Sequence, residues 1–153
     1  MLLVASILLG VTSTKAQGGK NNIAMNSFIE KGTAAPSHNF TGAVWVNMNV
    51  KSEEGYNVNI GTVTFEPKAR TNWHTHKSGQ ILFVIEGIGY YQEKQVQLIQ
   101  KGDVVEISKN VVHWHGASHD AMMRHIALVP DFSNDKTEWL HPVSDEEYAV
   151  HQK

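Results

Sequence analysis

The chain contains 153 residues, of which 41 % are hydrophobic, and it carries a formal net charge of −2. That length and composition predict one folded domain with a hydrophobic core. The absence of a basic excess argues against nucleic acid as a partner. No cysteine is present, which excludes disulfides, thiolate catalysis and thiolate zinc sites. We therefore expect small molecules as partners.

The first residues form an apolar segment, Met1 to Val11, that is too short to span a bilayer. Small residues follow it at Thr14 and Ala16, at the spacing of a signal-peptidase cleavage point. We therefore predict a signal peptide over residues 1–16 and a periplasmic or secreted protein with no membrane partner. No Lys or Arg precedes the apolar run, so a start further upstream is left open, and a buried N-terminal element is the alternative.

Residues 17–39 read as a polar leader and loop, and residues 40–153 as the folded domain. In that domain short runs of β-branched and aromatic residues alternate with glycine-containing turns. The predicted strands are Ala43–Val50, Tyr56–Phe65, Asn72–His76, Gln80–Glu86, Gly89–Gln92, Gln95–Gln100, Val104–Ile107, Val111–Ala117 and Met122–Val129. A capping box at Ser144 and Glu147 predicts a short helix over Asp145–His151. The pattern indicates an all-β fold, a sandwich or a small antiparallel barrel.

Two His-x-His pairs mark a candidate metal site. His74 and His76 point to one face of a strand, because side chains at i and i+2 share a face. A turn at Gly79 brings Gln80 back toward the same point, and a second strand carrying His113 supplies a fourth ligand. Three neutral nitrogens and an amide oxygen leave coordination positions open, as a catalytic metal site requires. The alternative is a chance pair of surface histidines.

The same residues resemble the two motifs of the cupin superfamily. The first motif, H-x-H-x(3,4)-E-x(6)-G, is met with Gln80 in the usual glutamate position. The second motif, G-x(5)-P-x-G-x(2)-H, is met by Gly102 and His113, with Ser108 and Asn110 in the proline and glycine positions. These last two differences alter a turn and leave the ligands unaffected.

A narrower resemblance, over most of residues 61–148, is to single-domain bacterial cupins that include the manganese-dependent hydroxynitrile lyases. Similar cupin segments occur beside carboxymuconolactone decarboxylase domains. The segments that carry it are 64–76, 102–105, 113–117 and the 138–148 ending. The resemblance implies a small antiparallel cupin (jelly-roll) barrel over residues 40–153 that pairs into a homodimer. The implied metal ligands are His74, His76, Gln80 and His113.

The implied activity is that of a metal-dependent lyase acting on a small carbonyl or hydroxyl compound, with cyanohydrin cleavage as the representative reaction. Manganese is the implied metal, and iron, nickel and zinc suit the same donors. Three histidines and an amide leave the full charge on a divalent ion, which makes it a stronger Lewis acid. His115, on the strand face of His113, and His125, an inward histidine in the matching cupins, are predicted to transfer the proton. The alternative role for both is to orient a ligand.

The predicted substrate pocket lies on the strand that ends at residue 65. Strand parity places Gly61, Val63 and Phe65 on one face, and this face lines the barrel mouth if the family arrangement holds. Two other functions stay open. One is a metal-dependent dioxygenase of the quercetinase type, against which Gln80 argues because most such sites have a glutamate there. The other is a non-catalytic module that binds a sugar or another small molecule.

Overall fold

The computed structural model describes residues 27–51, 55–130 and 136–149. The predicted signal peptide therefore lies outside the described residues. Across these ranges no helix is long and apolar enough to cross a membrane. The elements are β1 (Thr33–Ala34), β2 (Phe40–Thr41), β3 (Val44–Val50), β4 (Val58–Phe65), β5 (Arg70–Thr71), β6 (His74–Thr75), β7 (Gln80–Gln92), β8 (Val96–Gln100), β9 (Val104–Ile107), β10 (Trp114–Ala117), β11 (Met123–Pro130), β12 (Glu138–Trp139) and α1 (Asp145–Ala149).

The strands form a curled antiparallel sheet, a half-barrel, with the order β1-β3-β4-β11-β7-β10-β5-β2. Strands β8 and β9 also pair with β7, and β12 pairs with β6 in a separate two-stranded sheet. The predicted all-β fold of antiparallel strands with a short C-terminal helix is confirmed. The main apolar core, which includes Phe65, Leu82 and Val84, lies inside the curl.

Strand β7 runs through the bend of the sheet. Its residues 80–83 pair with β9 and its residues 88–92 with β8. Gly87 lies between these segments with a φ of 77°, and a Cβ there would collide with the carbonyl oxygen of Met122. The sequence predicted two strands here. The structure has one, because glycine lets the backbone turn from one half of the sheet to the other without ending the ladder.

The inner face of β4 and β11 forms the floor of the site. Val63 pairs with His125 and Gly61 with Ala127, so these four positions share one face of the sheet. The register between β11 and β7 shifts between Arg124 and His125. Such a bulge changes the direction of the side chain beside it, and here it precedes a fully buried histidine.

The strands around the predicted ligands are shorter than expected. Segment 72–76 contributes only β6, and segment 111–117 contributes β10 after a single bridge between His74 and His113. The backbone N–H of Trp73 donates to the carbonyl of His141 instead of to a strand of the main sheet. The C-terminal segment therefore takes hydrogen bonds that a neighbouring strand of the main sheet would otherwise make. Local β propensity cannot predict this long-range pairing.

Four very short strands, β1, β2, β5 and β12, were missed from the sequence. β1 lies in the segment predicted as leader and loop, and it forms because Thr33 and Ala34 pair with β3. β2 pairs with β5, and β12 pairs with β6. Two-residue strands carry no measurable periodicity, so tertiary pairing alone creates them.

The C-terminal helix begins at the predicted capping box. The Glu147 backbone N–H donates to Ser144 Oγ at 3.1 Å, and the Ser144 N–H donates to Glu147 Oε2 at 2.7 Å. Helix α1 reaches Ala149, and the rest of the predicted helix lies outside the described residues. Tyr148 packs into a second apolar cluster and donates its hydroxyl proton to the carbonyl of Ala117 at 2.8 Å.

Candidate metal centre and cavity

His74 and His113 meet across one backbone bridge. The His74 N–H donates to the His113 carbonyl at 2.9 Å, and the His113 N–H donates to the His74 carbonyl at 3.0 Å. Both side chains are buried, and their ring centroids lie 4.2 Å apart. The bridge thus holds two imidazoles side by side although 39 positions separate them in the sequence.

Backbone carbonyls set the tautomer of both rings. His74 Nδ1 lies 3.0 Å from the Asn72 carbonyl oxygen, and His113 Nδ1 lies 3.0 Å from that of Val111. A carbonyl oxygen only accepts hydrogen bonds, so each Nδ1 carries the proton and each Nε2 presents a lone pair. Metal-ligating histidines usually have this arrangement, in which the far nitrogen donates to a carbonyl or carboxylate.

Gln80 adds an oxygen to the two nitrogens. It is buried, and its Oε1 lies 3.2 Å from His113 Nε2. Two acceptor atoms at this distance repel each other unless a cation or a proton lies beside them. The donor set of neutral imidazoles and an amide oxygen suits a divalent transition metal. The residues present therefore fit a metal ion.

His76 and His115 are two further nitrogen donors at this position. The His76 ring centroid lies 5.4 Å from that of His74 and 6.1 Å from that of His113. The tightest group in the described part of the chain is instead His74, His113 and His115, whose ring nitrogens lie within 4.8 Å of one another. The four predicted ligands are all brought together. His115, which was predicted to transfer the proton, lies as close to His74 and His113 as His76 does.

His115 and His125 form a buried pair. His115 Nδ1 lies 3.2 Å from His125 Nε2, so one of the two rings donates to the other. Among the described residues, neither His115 Nε2 nor His125 Nδ1 has a hydrogen-bond partner. Whichever ring donates, the pair keeps one buried N–H and one buried lone pair unsatisfied. Such atoms are costly unless a ligand binds them.

Burial holds these rings neutral. Desolvation lowers the pKa of His125 to about 3. Desolvation and the neighbouring His125 ring lower the pKa of His115 well below its usual value. Burial and the ring of His113 do the same for His74. At neutral pH all three imidazoles therefore keep a lone pair, which metal binding and proton acceptance both require.

The histidines open onto a cavity of about 330 Å³. His74, His76, Gln80, His115 and His125 line it, while His113 lies behind them. Its walls are mostly apolar. They include Phe40, Val46, Met48, Ala127, Val129 and Trp139.

Two of the three predicted pocket residues reach this cavity. Gly61 and Val63 line it. Phe65 lies outside the lining and is fully buried, with its ring centroid 5.8 Å from that of His115 and 5.5 Å from that of His125. It therefore supports the histidine pair from beneath and has no open face toward a substrate.

Two aromatic residues at the cavity were not predicted. Trp139 stands in β12, in register with His74, and their ring centroids lie 4.8 Å apart. Phe40 stands in β2, with its ring centroid 5.4 Å from that of Trp139. The two-residue strands that carry them gave no periodic signal, and only their pairing with β5 and β6 brings them to the site.

Comparisons of the sequence found known proteins that are similar to this chain. Residues 61–129 match the family described as the cupin domain. The chain is 39 % identical over 115 residues to the (R)-mandelonitrile lyase of Granulicella tundricola, which covers 74 % of this chain and 88 % of that protein.

Solved structures show the same fold. A cupin-like protein from Thermotoga maritima is 45 % identical, with a TM-score of 0.80, and the match covers 84 % of this chain and all of the other. A second Thermotoga maritima protein, described as a predicted oxalate decarboxylase, is 15 % identical with a TM-score of 0.62 over 77 % of this chain and 100 % of its own. At that identity the likeness concerns the fold alone.

Proposed function

Because the chain belongs to the cupin superfamily, we propose that it is a metal-dependent lyase acting on a small carbonyl or hydroxyl compound, with cyanohydrin cleavage as the reaction to test. The observation that carries the proposal is the buried histidine pair with one unsatisfied N–H and one unsatisfied lone pair, beside a group of imidazoles that fits a metal. The similar mandelonitrile lyase supports the reaction class.

His74, His76, Gln80 and His113 would hold the metal, for which we propose manganese. When bound, a divalent ion would supply Lewis acidity toward a substrate oxygen, undiminished by any carboxylate in this donor set. Hydrogen bonds from the Nδ1 atoms of His74 and His113 to backbone carbonyls keep their Nε2 lone pairs aimed at one place. Gln80, which is buried, would add its amide oxygen to these nitrogens.

The histidine pair would transfer the proton. Both rings are neutral, so the unpaired nitrogen of one accepts the hydroxyl proton of the substrate while the N–H of the other donates to its oxygen. Burial lowers the pKa of His125 to about 3, so the neutral ring is a weak base that holds a proton only briefly, and the protonated ring is a strong acid. It therefore returns the proton readily to the departing group.

For a cyanohydrin the atoms balance without a further reactant. The histidine takes the hydroxyl proton, and the O–H electron pair forms the carbonyl π bond. The carbon–carbon bond to the nitrile breaks, and cyanide leaves with that electron pair. The histidine then gives its proton to cyanide, so that the products are an aldehyde or ketone and hydrogen cyanide.

Metal analysis is the first experiment. The protein purified without added metal should carry close to one transition ion per chain, and His74→Ala should carry much less. The exposed His38 provides a matched control, because His38→Ala should keep the ion. Far less than one ion per chain in the wild type would remove the proposal.

Activity is the second experiment. The loaded protein should release benzaldehyde from mandelonitrile at equal rates with and without oxygen, and chelation should abolish the reaction. His125→Ala should lower kcat by roughly 10²- to 10⁴-fold while the metal content stays unchanged. Oxygen-dependent turnover of flavonols or diketones, without cyanohydrin cleavage, would favour the dioxygenase alternative instead.

Two further expectations rest on the sequence alone. We propose export with cleavage after Ala16, and pairing into a homodimer. N-terminal sequencing of the protein recovered from cells tests the first, and sedimentation equilibrium tests the second.

A further inference from the structure

We infer that Trp139 and Phe40 form an aromatic wall that selects substrates with a planar aromatic substituent next to the reacting oxygen. The inference rests on the proposed function in one respect, namely that a small carbonyl or hydroxyl compound binds at the histidines. It adds the chemical class of the group attached to that carbon.

The wall lies directly beside the proposed ligands. Trp139 pairs in register with His74, and the two rings lie 4.8 Å apart at 32°. Phe40 pairs with Thr71, and its ring lies 5.4 Å from that of Trp139 at 58°. A group attached to a carbon held at His74 therefore has an aromatic surface within reach.

Both rings of the wall keep surface that the protein does not cover, although Phe40 also packs against the main apolar core. Trp139 and Phe40 are only half-buried, and both line the cavity. A core aromatic of this chain looks different, since Phe65 is 0 % exposed and does not reach the cavity. The wall thus keeps aromatic surface for a ligand.

The other residues that line the cavity favour an apolar substituent but do not distinguish an aromatic ring from an aliphatic one. Val46, Val63 and Ala127 offer only aliphatic surface, which binds a flat ring and a puckered ring about equally. Aromatic surfaces discriminate between them, because offset-stacked and edge-to-face contacts need a π system on both sides. The aromatic wall therefore sets the preference between an aryl and an alkyl substituent.

Binding of two matched ketones tests the inference without any turnover. Acetophenone and cyclohexyl methyl ketone have the same carbon skeleton and differ in the planarity and π electrons of the ring. We expect the purified, metal-loaded protein to bind acetophenone roughly three- to tenfold more tightly, as measured by calorimetric titration. Equal affinities would overturn the inference.

Variants of the wall assign the preference. Trp139→Leu and Phe40→Leu should each remove most of the preference, and Trp139→Phe should keep part of it because it restores an aromatic ring. Trp45→Leu is the matched control, since Trp45 is half-buried under the Lys31 ammonium and away from the cavity. Circular dichroism checks that each variant is folded. A preference that survives in folded Trp139→Leu and Phe40→Leu would overturn the assignment.

The outcome separates this inference from the proposed function. Cyanohydrin cleavage without an acetophenone preference would contradict the aromatic wall and leave the lyase proposal intact. A preference for acetophenone that depends on Trp139, in a protein that cleaves no cyanohydrin, would support the aromatic wall and contradict only the proposed reaction.

Discussion

Gln80 is the residue at which this chain differs from the first cupin motif, because an amide stands where a carboxylate is usual. Its side chain is buried, and Oε1 faces His113 Nε2 at 3.2 Å. An amide and three imidazoles add no negative charge to the site. The charge of a bound ion would therefore remain available to a substrate oxygen.

Replacing Gln80 tests this role. Gln80→Glu should bind Mn²⁺ more tightly, because it adds a negative charge at the ion, and should be less active, because the added charge lowers the Lewis acidity. Gln80→Ala should weaken both binding and activity. Calorimetric titration of Mn²⁺ into the metal-free variants measures the affinities. Equal affinities for wild type and Gln80→Glu would show that Gln80 is not a metal ligand.

At the scale of elements, two local devices hold the site in place. Gly87 lets β7 pass through the bend of the sheet, so that the strand bearing Gln80 pairs directly with the strands bearing His115 and His125. On the far side, Arg70 is buried, donates to the Val143 carbonyl and pairs with Asp145 at 2.7 Å. The C-terminal segment is thereby held against the strand that leads to His74.

Gly87→Ala should destabilise the protein more than an alanine at another glycine with positive φ. Gly102 is the matched control, because its φ is 101° but a Cβ there meets nothing within 4 Å. Gly102→Ala should cost about 1–2 kcal/mol for the backbone conformation alone. Gly87→Ala should cost at least about 2 kcal/mol more, because of the collision with Met122. Urea unfolding measures both, and equal losses would contradict a continuous, bent β7.

Tyr148 should make stability fall in alkali. Burial, chiefly, raises the pKa of Tyr148 to about 12 from 10, so the folded state favours the neutral phenol. That contribution is complete below pH 10 and is lost as the pH rises from 10 to 12. Tyr148→Phe should lose about 1 kcal/mol at pH 8 with the hydrogen bond to Ala117. Its stability should then decline about 2 kcal/mol less than that of wild type between pH 10 and 12, as measured by urea unfolding at each pH.

At the scale of the whole molecule, the cavity is built from both ends of the described chain. β2 brings Phe40, the central strands bring the histidines, and β12 brings Trp139. His74, His113, His115 and His125 are buried, and burial lowers the pKa of each ring, which keeps it neutral before any ion binds. The folded state therefore offers an arranged set of lone pairs that the unfolded chain lacks.

Removing the metal should lower the unfolding temperature. A ligand at 100 times its Kd stabilises the folded state by about 2.7 kcal/mol, which corresponds to roughly 5–15 °C for a domain of this size. Differential scanning calorimetry of the chelated and the Mn²⁺-restored protein measures the shift. His113→Ala should abolish it and His38→Ala should keep it, whereas an unchanged shift in His113→Ala would place the ion elsewhere.

The sequence by itself determined what depends on near neighbours. The alternation of apolar residues located the principal strands from Val44 to Pro130, and the spacing of Ser144 and Glu147 located the start of the helix. The spacing of His74 and His76 identified candidate ligands. These features could be predicted because each is set by residues only two to four positions apart, or by the repeat of such a spacing.

Tertiary structure alone decided which distant residues meet. It joined two predicted strands into one bent β7 and placed Phe65 beneath the histidine pair. It also placed His115 as near to His74 and His113 as His76 is. It also created the aromatic wall from Phe40 and Trp139, whose strands are two residues long. Such contacts join segments far apart in the chain, and their geometry follows from packing and register of the whole sheet, which no local pattern encodes.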